Sequence, residues 1–579
     1  MKKELWYEKQ IPGDYRALSE SYGVSPAMAR LLVNRITSGN DRSLPGRDQV
    51  IKYLEPDISG SYSYEKLPDI GKCTDILSGM ISGGKRIRVI GDYDIDGVCA
   101  AYILTTGLKR AGAKADHAIP HRITDGYGLN ERLIREAAQS GIDCIITCDN
   151  GISAASQIRL AHELGMTVIV TDHHEVPFHM EDGVRVEELP EADAVVDIKR
   201  SDSLYGFTGI CGAQVAFKVI AALFERQGLG REQMDDLVEF AAFAVIGDIM
   251  PLRDENRSLV SAGLKRLSNT SNPGMRALIR AQGVEGCELR PYHVGFVLGP
   301  CINATGRLAT ADNAYELLEA EDPREAERLA DMLVAMNNDR KDMTEKGTAK
   351  ALEQALSPDM EKDRVLVIYL PETHESVAGI IAGRVREKTG KPSFVLTDGE
   401  SGIKGSGRSI DEYDMYEAMT GVSELFEKYG GHRMAGGLSL KEGIKPEILG
   451  RRLNESCTLT EHDLITKIRF DMVLPFSYVD MKLAGDILKL EPFGPENPKP
   501  LFAVRDVRLT NTNIYGKNRN VLKCNASDGS KTVPAVYFGD TEELLQFIND
   551  NGSIRLLYSV EINEYRGERS LQIRIEHYC

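Results

Sequence analysis

RIRVIGDYDIDG, residues 86–97, decides the fold. A short run rich in β-branched side chains reads as a buried strand, and three carboxylates, Asp92, Asp94 and Asp96, follow it directly. Outward from it, DCIITC (143–148), MTVIV (166–170) and ADAVV (192–196) repeat the pattern with helical stretches between them. That alternation is the mark of βαβ units and a mostly parallel α/β sheet. In such sheets the ligand site lies beyond the carboxyl ends of the strands. The residues found there are Asp149-Asn150-Gly151, Asp172-His173-His174 and Asp197. One strand-end Asp is ordinary, because Asp and Asn cap helices and make turns. Three acids in the five residues 92–96 exceed what one cap requires.

Residues 235–246 read as a buried helix that ends at Gly247-Asp248 and so presents Asp248 at an element end. Asp322-Pro323 supplies a cap and a first-turn proline for a helix running to about Leu356. Such a helix is roughly 50 Å long, a connector rather than a core element, and marks a domain boundary. A second α/β region (363–458) follows. It holds the strand VLVIYL (365–370), a helix from about Val377 to Thr389, the strand SFVLT, and two Gly-rich loops. From 466 the style changes to short alternating segments separated by Gly, Asn and Asp turns: LFAVRDVRLT, VLKCNA, VPAVYF, SIRLLYSVEI and SLQIRI. These predict a five-stranded barrel. The expected division is a segment without a usable motif (1–45), an α/β domain (46–310), a connecting helix (311–360), a second α/β domain (361–460) and the barrel (461–579).

The 579 residues carry 42% hydrophobic and 27% charged side chains, the composition of a folded globular chain, at a length that calls for several domains. The formal charge of −17 excludes surface-wide attraction to polyanions, so any nucleic-acid contact is local. No apolar stretch approaches a membrane span and the opening MKKELWYEKQ lacks a secretory core, which predicts a cytoplasmic protein with its ten scattered cysteines reduced.

Asp92, Asp94, Asp96, Asp149, His173, His174 and Asp248 supply the number of ligands that two divalent cations bridging a phosphate require. Mixed carboxylate and imidazole donors suit Mn²⁺ or Mg²⁺. The chemistry expected of such a site is phosphodiester hydrolysis without a covalent nucleophile, with Asp149, His173 and His174 at its centre. Adjacent side chains on an extended segment point apart, so one of the two histidines is a ligand and the other touches phosphate or water.

GDYDIDG, DNG, TDHH and GDIMPL, in this order and spacing, resemble the DHH phosphoesterases. So do HRITDGYGLN (121–130), GPCINATGRL (299–308), GIKGSGRS (402–409), GGHRMAGG (430–437) and LEPFGPENPKPLF (490–502), and the likeness runs from about residue 45 to the end. The resemblance implies a DHH domain, a DHH-associated domain and an OB-fold that remove nucleotides 5′ to 3′ from single-stranded DNA in repair and recombination. It also implies a monomer that works with a single-strand-binding protein and a RecQ-type helicase. It assigns Arg122, Arg307, Ser406 and Arg408 to the 5′ phosphate and nearby backbone, with His432 facing the cleft. Guanidinium groups do bind phosphate bidentately, and a Gly-rich KGSGRS loop would bring backbone N–H groups close to an anion. The family's usual arginine is replaced by Cys301, and a usual glycine by Gln214. His374 reads equally well as a helix cap. Two rivals are a DHH oligoribonuclease or small phosphoesterase, which the terminal barrel disfavours, and a noncatalytic DHH-derived replication factor, which seven occupied ligand positions disfavour.

Overall fold

The computed structural model describes residues 4–37, 44–58, 61–122, 125–399, 402–565 and 568–579. Arg86–Ile90, Lys114–Ala118, Cys144–Cys148, Thr167–Asp172 and Ala194–Asp197 form a five-stranded sheet, parallel throughout. Arg86–Ile90 lies between Lys114–Ala118 on one side and Cys144–Cys148 on the other, so strand order reverses at the first strand. That switch point opens a crevice beyond the carboxyl ends of the strands. The GDYDID and DNG turns border it. Lys114–Ala118 is absent from the sequence reading because it is an edge strand, KADHA, polar and only half buried. The last strand begins two residues later and ends one residue later than expected, and the helix anticipated over 235–246 begins at Val238, after a 3₁₀ stretch Arg231–Leu237.

The helix Pro323–Ala355 starts where the sequence places it, with Asp322 accepting from the Arg324 amide at 3.0 Å. It is more than a connector. Ala326, Leu329, Ala330 and Leu333 recur on one face and are buried in the first domain's core, while Ala351 and Ala355 pack with Leu366, Ile368, Val377 and Ile381 of the second.

The second domain is a sheet in the order Phe426–His432, Ala435–Leu440, Gly402–Arg408, Ser393–Gly399, Leu366–Tyr369, with the helix Glu375–Thr389 packed on it. The two expected Gly-rich loops are therefore strands. Gly405 and Gly407 face inward, where a Cβ would come within 2.2 Å of Leu396 Cδ2 and 2.4 Å of Met415 Sδ, while Lys404, Ser406 and Arg408 alternate to the other face. Because Gly402–Arg408 pairs on both edges, its ladder bonds, not an anion, engage the backbone N–H groups. Its contribution to a ligand is made by side chains.

The terminal barrel has five long strands, Phe502–Tyr515, Val521–Ser527, Thr532–Phe538, Ile554–Tyr565 and Glu568–Tyr578, closed by pairing of the first with the fourth, and a short strand Met472–Val473 beside it. The N-terminal segment belongs to it physically. Glu4–Glu8 pairs in parallel with Thr466–Phe470, and Met28, Leu31 and Leu32 are buried with the barrel core. Arg257 of the first domain, 2% exposed, donates to the carbonyls of Leu490 and Lys489 at 2.8 and 3.1 Å. These carbonyls follow the helix Met481–Leu488, where a cation is favoured. All ten cysteines are free, and no described helix is long and apolar enough to cross a membrane.

Candidate active site

Asp94 caps the helix Ile95–Arg110, its Oδ1 accepting from the amides of Asp96 and Gly97 at 3.0 and 3.1 Å. Asn303 Oδ1 accepts from the Ile95 amide at 2.9 Å, which pins the same turn from another helix. Asp96 accepts from the amides of Gly212 and Ala213 at 2.6 and 2.8 Å. Those amides are the N-terminus of the helix Gly212–Gln227, whose dipole favours a carboxylate. A Cβ at position 212 would lie 2.6 Å from that of Asp149, so glycine lets this helix end close on the acids. Asp149 itself holds a left-handed φ of +60°, and its carbonyl accepts from the Tyr127 hydroxyl at 2.7 Å. Asp92 accepts from the Gly128 amide at 3.3 Å, and Asp248 caps the C-terminus of Val238–Gly247.

Three overlapping donor groups result: Asp92, Asp94 and Asp149; Asp96, His173 and Asp248; and Asp149, His173 and His174, with ligand atoms in each within 4.8 Å of one another. His173 Nε2 lies 3.0 Å from Asp149, 3.6 Å from Asp96 and 3.9 Å from Asp248. All seven sequence-predicted ligands are thus brought into one cluster. Burial, and then mutual repulsion, pushes the Asp92 and Asp149 carboxyls well above the usual range and raises Asp248 to about 8. The cluster is under-compensated in charge, and its oxygen-rich, partly imidazole donor set fits Mn²⁺ or Mg²⁺.

Asp172 organises the two histidines although the sequence reading assigns it no role. It is 1% exposed and accepts from the amides of Ile152, His173 and His174 at 3.0, 2.7 and 3.2 Å, and from His174 Nδ1 at 2.7 Å. Burial alone would lower the His174 pKa, but the Asp172 hydrogen bond and charge raise it to about 9. His174 also meets the Tyr127 hydroxyl at 3.3 Å.

Across the cleft stand the predicted phosphate contacts. Arg307 Nη1 donates to the Ser376 carbonyl at 2.7 Å, linking the two domains, and the Arg122 guanidinium lies 4.9 Å from the centre of the Tyr93 ring. Burial, reinforced by Arg122, Arg340 and Arg408, lowers Arg307 to about 10. Arg408 crosses the helix Glu375–Thr389 at Gly379, where a Cβ would come within 2.9 Å of its Nη2. His432, Ala435 and Arg408 occupy one row of the sheet, which sets His432 at the same end as Arg408. A cavity of about 220 Å³ between the domains is lined by Tyr93, Arg122, Glu375, Ser376, Lys404 and Ser406. His374 is a cap, accepting from the Ser376 amide at 3.3 Å.

Arg340, on the long helix, joins this cationic group and is a second residue the sequence reading misses. Its Nε and Nη2 donate to Asn337 Oδ1 at 3.1 and 2.8 Å, and Asn337 Nδ2 donates to Cys301 Sγ at 3.4 Å. Cys301 is therefore a buried support of the arginine cluster.

Residues 86–247 match the N-terminal domain of the DHH family, 362–457 the DHHA1 domain and 470–577 the RecJ OB domain. The chain is 34% identical over 565 residues to the single-stranded-DNA-specific exonuclease RecJ of Bacillus subtilis (strain 168), covering 97% of this chain and 69% of that one. It is 30% identical over 547 residues to its counterpart in Escherichia coli (strain K12), covering 90% and 92%. Crystal structures of Thermus thermophilus RecJ with Mn²⁺ and with Mg²⁺ superpose with TM-scores of 0.81 and 0.74 at 26% and 25% identity. Both cover 100% of this chain, and 80% and 78% of theirs.

Proposed function

The chain belongs to the RecJ family of DHH exonucleases, and from that membership we propose how its cleft divides the work of shortening single-stranded DNA. The enzyme is a metal-dependent single-stranded-DNA exonuclease that uses Mn²⁺ or Mg²⁺. Asp92, Asp94 and Asp149 would hold one cation and Asp96, His173 and Asp248 a second, the two donor groups lying side by side in the cluster. When bound, the cations supply the Lewis acidity that activates water and offsets charge on the phosphoryl group.

His174, its Nδ1 engaged by Asp172, turns its remaining ring nitrogen to the scissile phosphate as a charged donor. Arg122, Ser406 and Arg408 receive the 5′ phosphate at the interdomain cavity, Arg307 holds the next backbone phosphate, and His432 borders the same end. Capturing a terminal phosphate at a fixed distance from the cations enforces cleavage from the 5′ end. The carrying observation is the facing of a buried acid cluster by arginines crowded against one another. A single-strand-binding protein and a RecQ-type helicase fit as partners that supply such strands to a monomeric enzyme, and pull-down with and without DNA tests each.

The decisive experiment digests 5′- and 3′-labelled single strands, duplex DNA and short RNA, with metal or excess chelator, and compares 5′-phosphate with 5′-hydroxyl ends. Release of the 5′ label first, metal dependence and preference for the phosphorylated single strand are expected. Digestion from the 3′ end would remove the polarity, and undiminished rates in chelator would remove the metal site.

A further inference from the structure

A cavity of about 670 Å³ opens in the first domain along Gly212–Gln227, the helix whose first two amides hold Asp96. Gln214, Phe217, Lys218 and Ala221 line it, positions three or four residues apart and so one face of that helix. Tyr62 and Tyr64 add aromatic wall. The volume is that of a small-molecule site. None of the residues assigned to cations or phosphates borders it.

Two polar groups in this cavity are incomplete. Gln214 is 2% exposed, and its Oε1 is buried without a hydrogen-bond donor among the described residues. Lys218 donates to the Tyr62 carbonyl at 2.9 Å and to Glu255 Oε2 at 3.0 Å. Its ammonium also stands 5.2 Å from the centre of the Tyr205 ring, a cation–π contact that leaves the third proton without a hydrogen-bond acceptor among the described residues. Four residues apart on one helix, the free acceptor and the free donor are neighbours. An unpaired buried acceptor is costly, and a ligand that supplies its donor removes the cost. The cations around the cavity are already matched: Lys218 by Glu255, Arg266 by Asp235 at 2.9 Å and Arg231 by Glu225 at 3.7 Å. Glu65, at the mouth, is left without an ion pair among the described residues, so an anion is disfavoured there.

We propose that this cavity binds a nucleoside, base inward, and that its occupancy is coupled to the cations. A nucleobase presents an N–H donor and an acceptor side by side on its pairing edge, and Gln214 Oε1 and the third Lys218 proton are their complements. Phe217, Tyr62 and Tyr64 offer apolar faces to the ring, and the sugar hydroxyls meet the Glu65 carboxylate at the mouth. A 5′ phosphate would meet that carboxylate and no spare cation, so the nucleoside is favoured over the nucleotide. The coupling runs along the chain, because Gln214 directly follows the two residues whose amides hold Asp96. A ligand that fixes Gln214 fixes those amides, and by linkage cation and nucleoside tighten each other by one common factor. Binding stands on the cavity alone; the coupling rests on the reading of the acid cluster as a cation site.

Isothermal titration of the full chain in chelator with adenosine, guanosine, cytidine and thymidine tests the site. Saturable binding of at least one of them is expected, and the matching 5′-monophosphate should not displace it. Gln214→Leu should weaken that binding by roughly threefold to tenfold, the worth of one neutral hydrogen bond, and Ala221→Phe, which fills the cavity, should abolish it, with melting temperatures as the check on folding. Without DNA, the nucleoside should lower the Mn²⁺ dissociation constant by roughly fivefold, Mn²⁺ should lower that of the nucleoside by the same factor, and both effects should vanish in Ala221→Phe. No binding of any of the four, binding unchanged in both folded variants, or displacement by the monophosphate would overturn the site. A Mn²⁺ affinity that the bound nucleoside leaves unchanged or weakens would overturn the coupling. Wild-type protein that binds no Mn²⁺ would instead remove the reading of the acid cluster.

Discussion

Replacing Asp172 by Asn keeps its shape and deletes its charge. Four donors converge on this carboxylate, three amides and His174 Nδ1, at 2.7 to 3.2 Å. An asparagine has one acceptor oxygen and must turn an NH₂ group towards donors on its other side. At least one charge-assisted hydrogen bond is lost, at about 1.5–3 kcal/mol, which corresponds to roughly one to two decades in an equilibrium or rate constant. Without that partner, the burial that lowers the His174 pKa prevails, and the imidazole loses its charge near neutrality. Asp172→Asn should therefore lower kcat on 5′-phosphorylated single-stranded DNA by roughly 10- to 100-fold and raise the Mn²⁺ concentration for half-maximal rate, the range typical of residues that orient metal ligands. Initial rates over a Mn²⁺ titration measure both, with the melting temperature in chelator as the control. Wild-type kcat and metal midpoint in a folded variant would refute the role given to Asp172.

Removing the guanidinium in Arg408→Ala, or the hydroxyl in Ser406→Ala, should erase most of the preference for a 5′-phosphate over a 5′-hydroxyl end, measured as the ratio of kcat/KM for the two substrates. Asp471, 2% exposed, is expected to tie the N-terminal segment to the barrel domain through Arg35 at 3.3 Å and Lys9 at 3.6 Å. Burial alone would raise this carboxyl, but Arg35 and Lys9 hold it below its usual value. Its folded pKa is thus depressed, so its stabilisation is present above about pH 4 and lost as pH falls through the folded value. Asp471→Ala should cost about 3–5 kcal/mol by leaving Arg35 buried and unpaired, read from urea midpoints at pH 7. Glu239 runs the other way, since burial raises it to about 7. Its contribution is present below about pH 4 and lost as pH rises through 7, so Glu239→Gln should be more stable than wild type at pH 8, on the order of 2 kcal/mol, and gain little at pH 4.

The parallel sheet was legible in the sequence because its central strands are buried on both faces and read as unbroken β-branched runs, and the acids were legible because strand ends are where such sheets bind ligands. Lys114–Ala118 was not, since an edge strand lacks that run. Gly402–Arg408 reads as a Gly-rich loop because glycine is depleted in strands, whereas here glycine answers to the side chains of Leu396 and Met415, which no local pattern reveals. Asp172 passed as part of the strand end although it lies within TDHH, and its function is visible only once Ile152 is seen to donate to it. Arg340 was missed because its relation to Arg307 depends on how a 33-residue helix docks, a tertiary fact with no sequence period.

A net charge of −17 looks hostile to DNA, and the distribution of ion pairs shows why it is not. Arg88, Arg110, Arg132 and Arg200 each meet a carboxylate, at Asp116, Asp236, Asp125 and Asp202. Arg122, Arg307, Arg340, Arg384 and Arg408 have no such pair among the described residues, and Arg307 is lowered by burial and by its own neighbours. The acids on the cleft floor are raised for the mirror-image reason. Apart from the Glu375–Lys404 pair at 2.9 Å, each half of the cleft carries like charges whose repulsion the rest of the protein leaves in place, although acids and arginines could have been paired. Keeping them apart leaves the acids free to take cations and the arginines free to take phosphates. A phosphodiester lying between them satisfies both at once, while the acidic exterior discourages binding anywhere else.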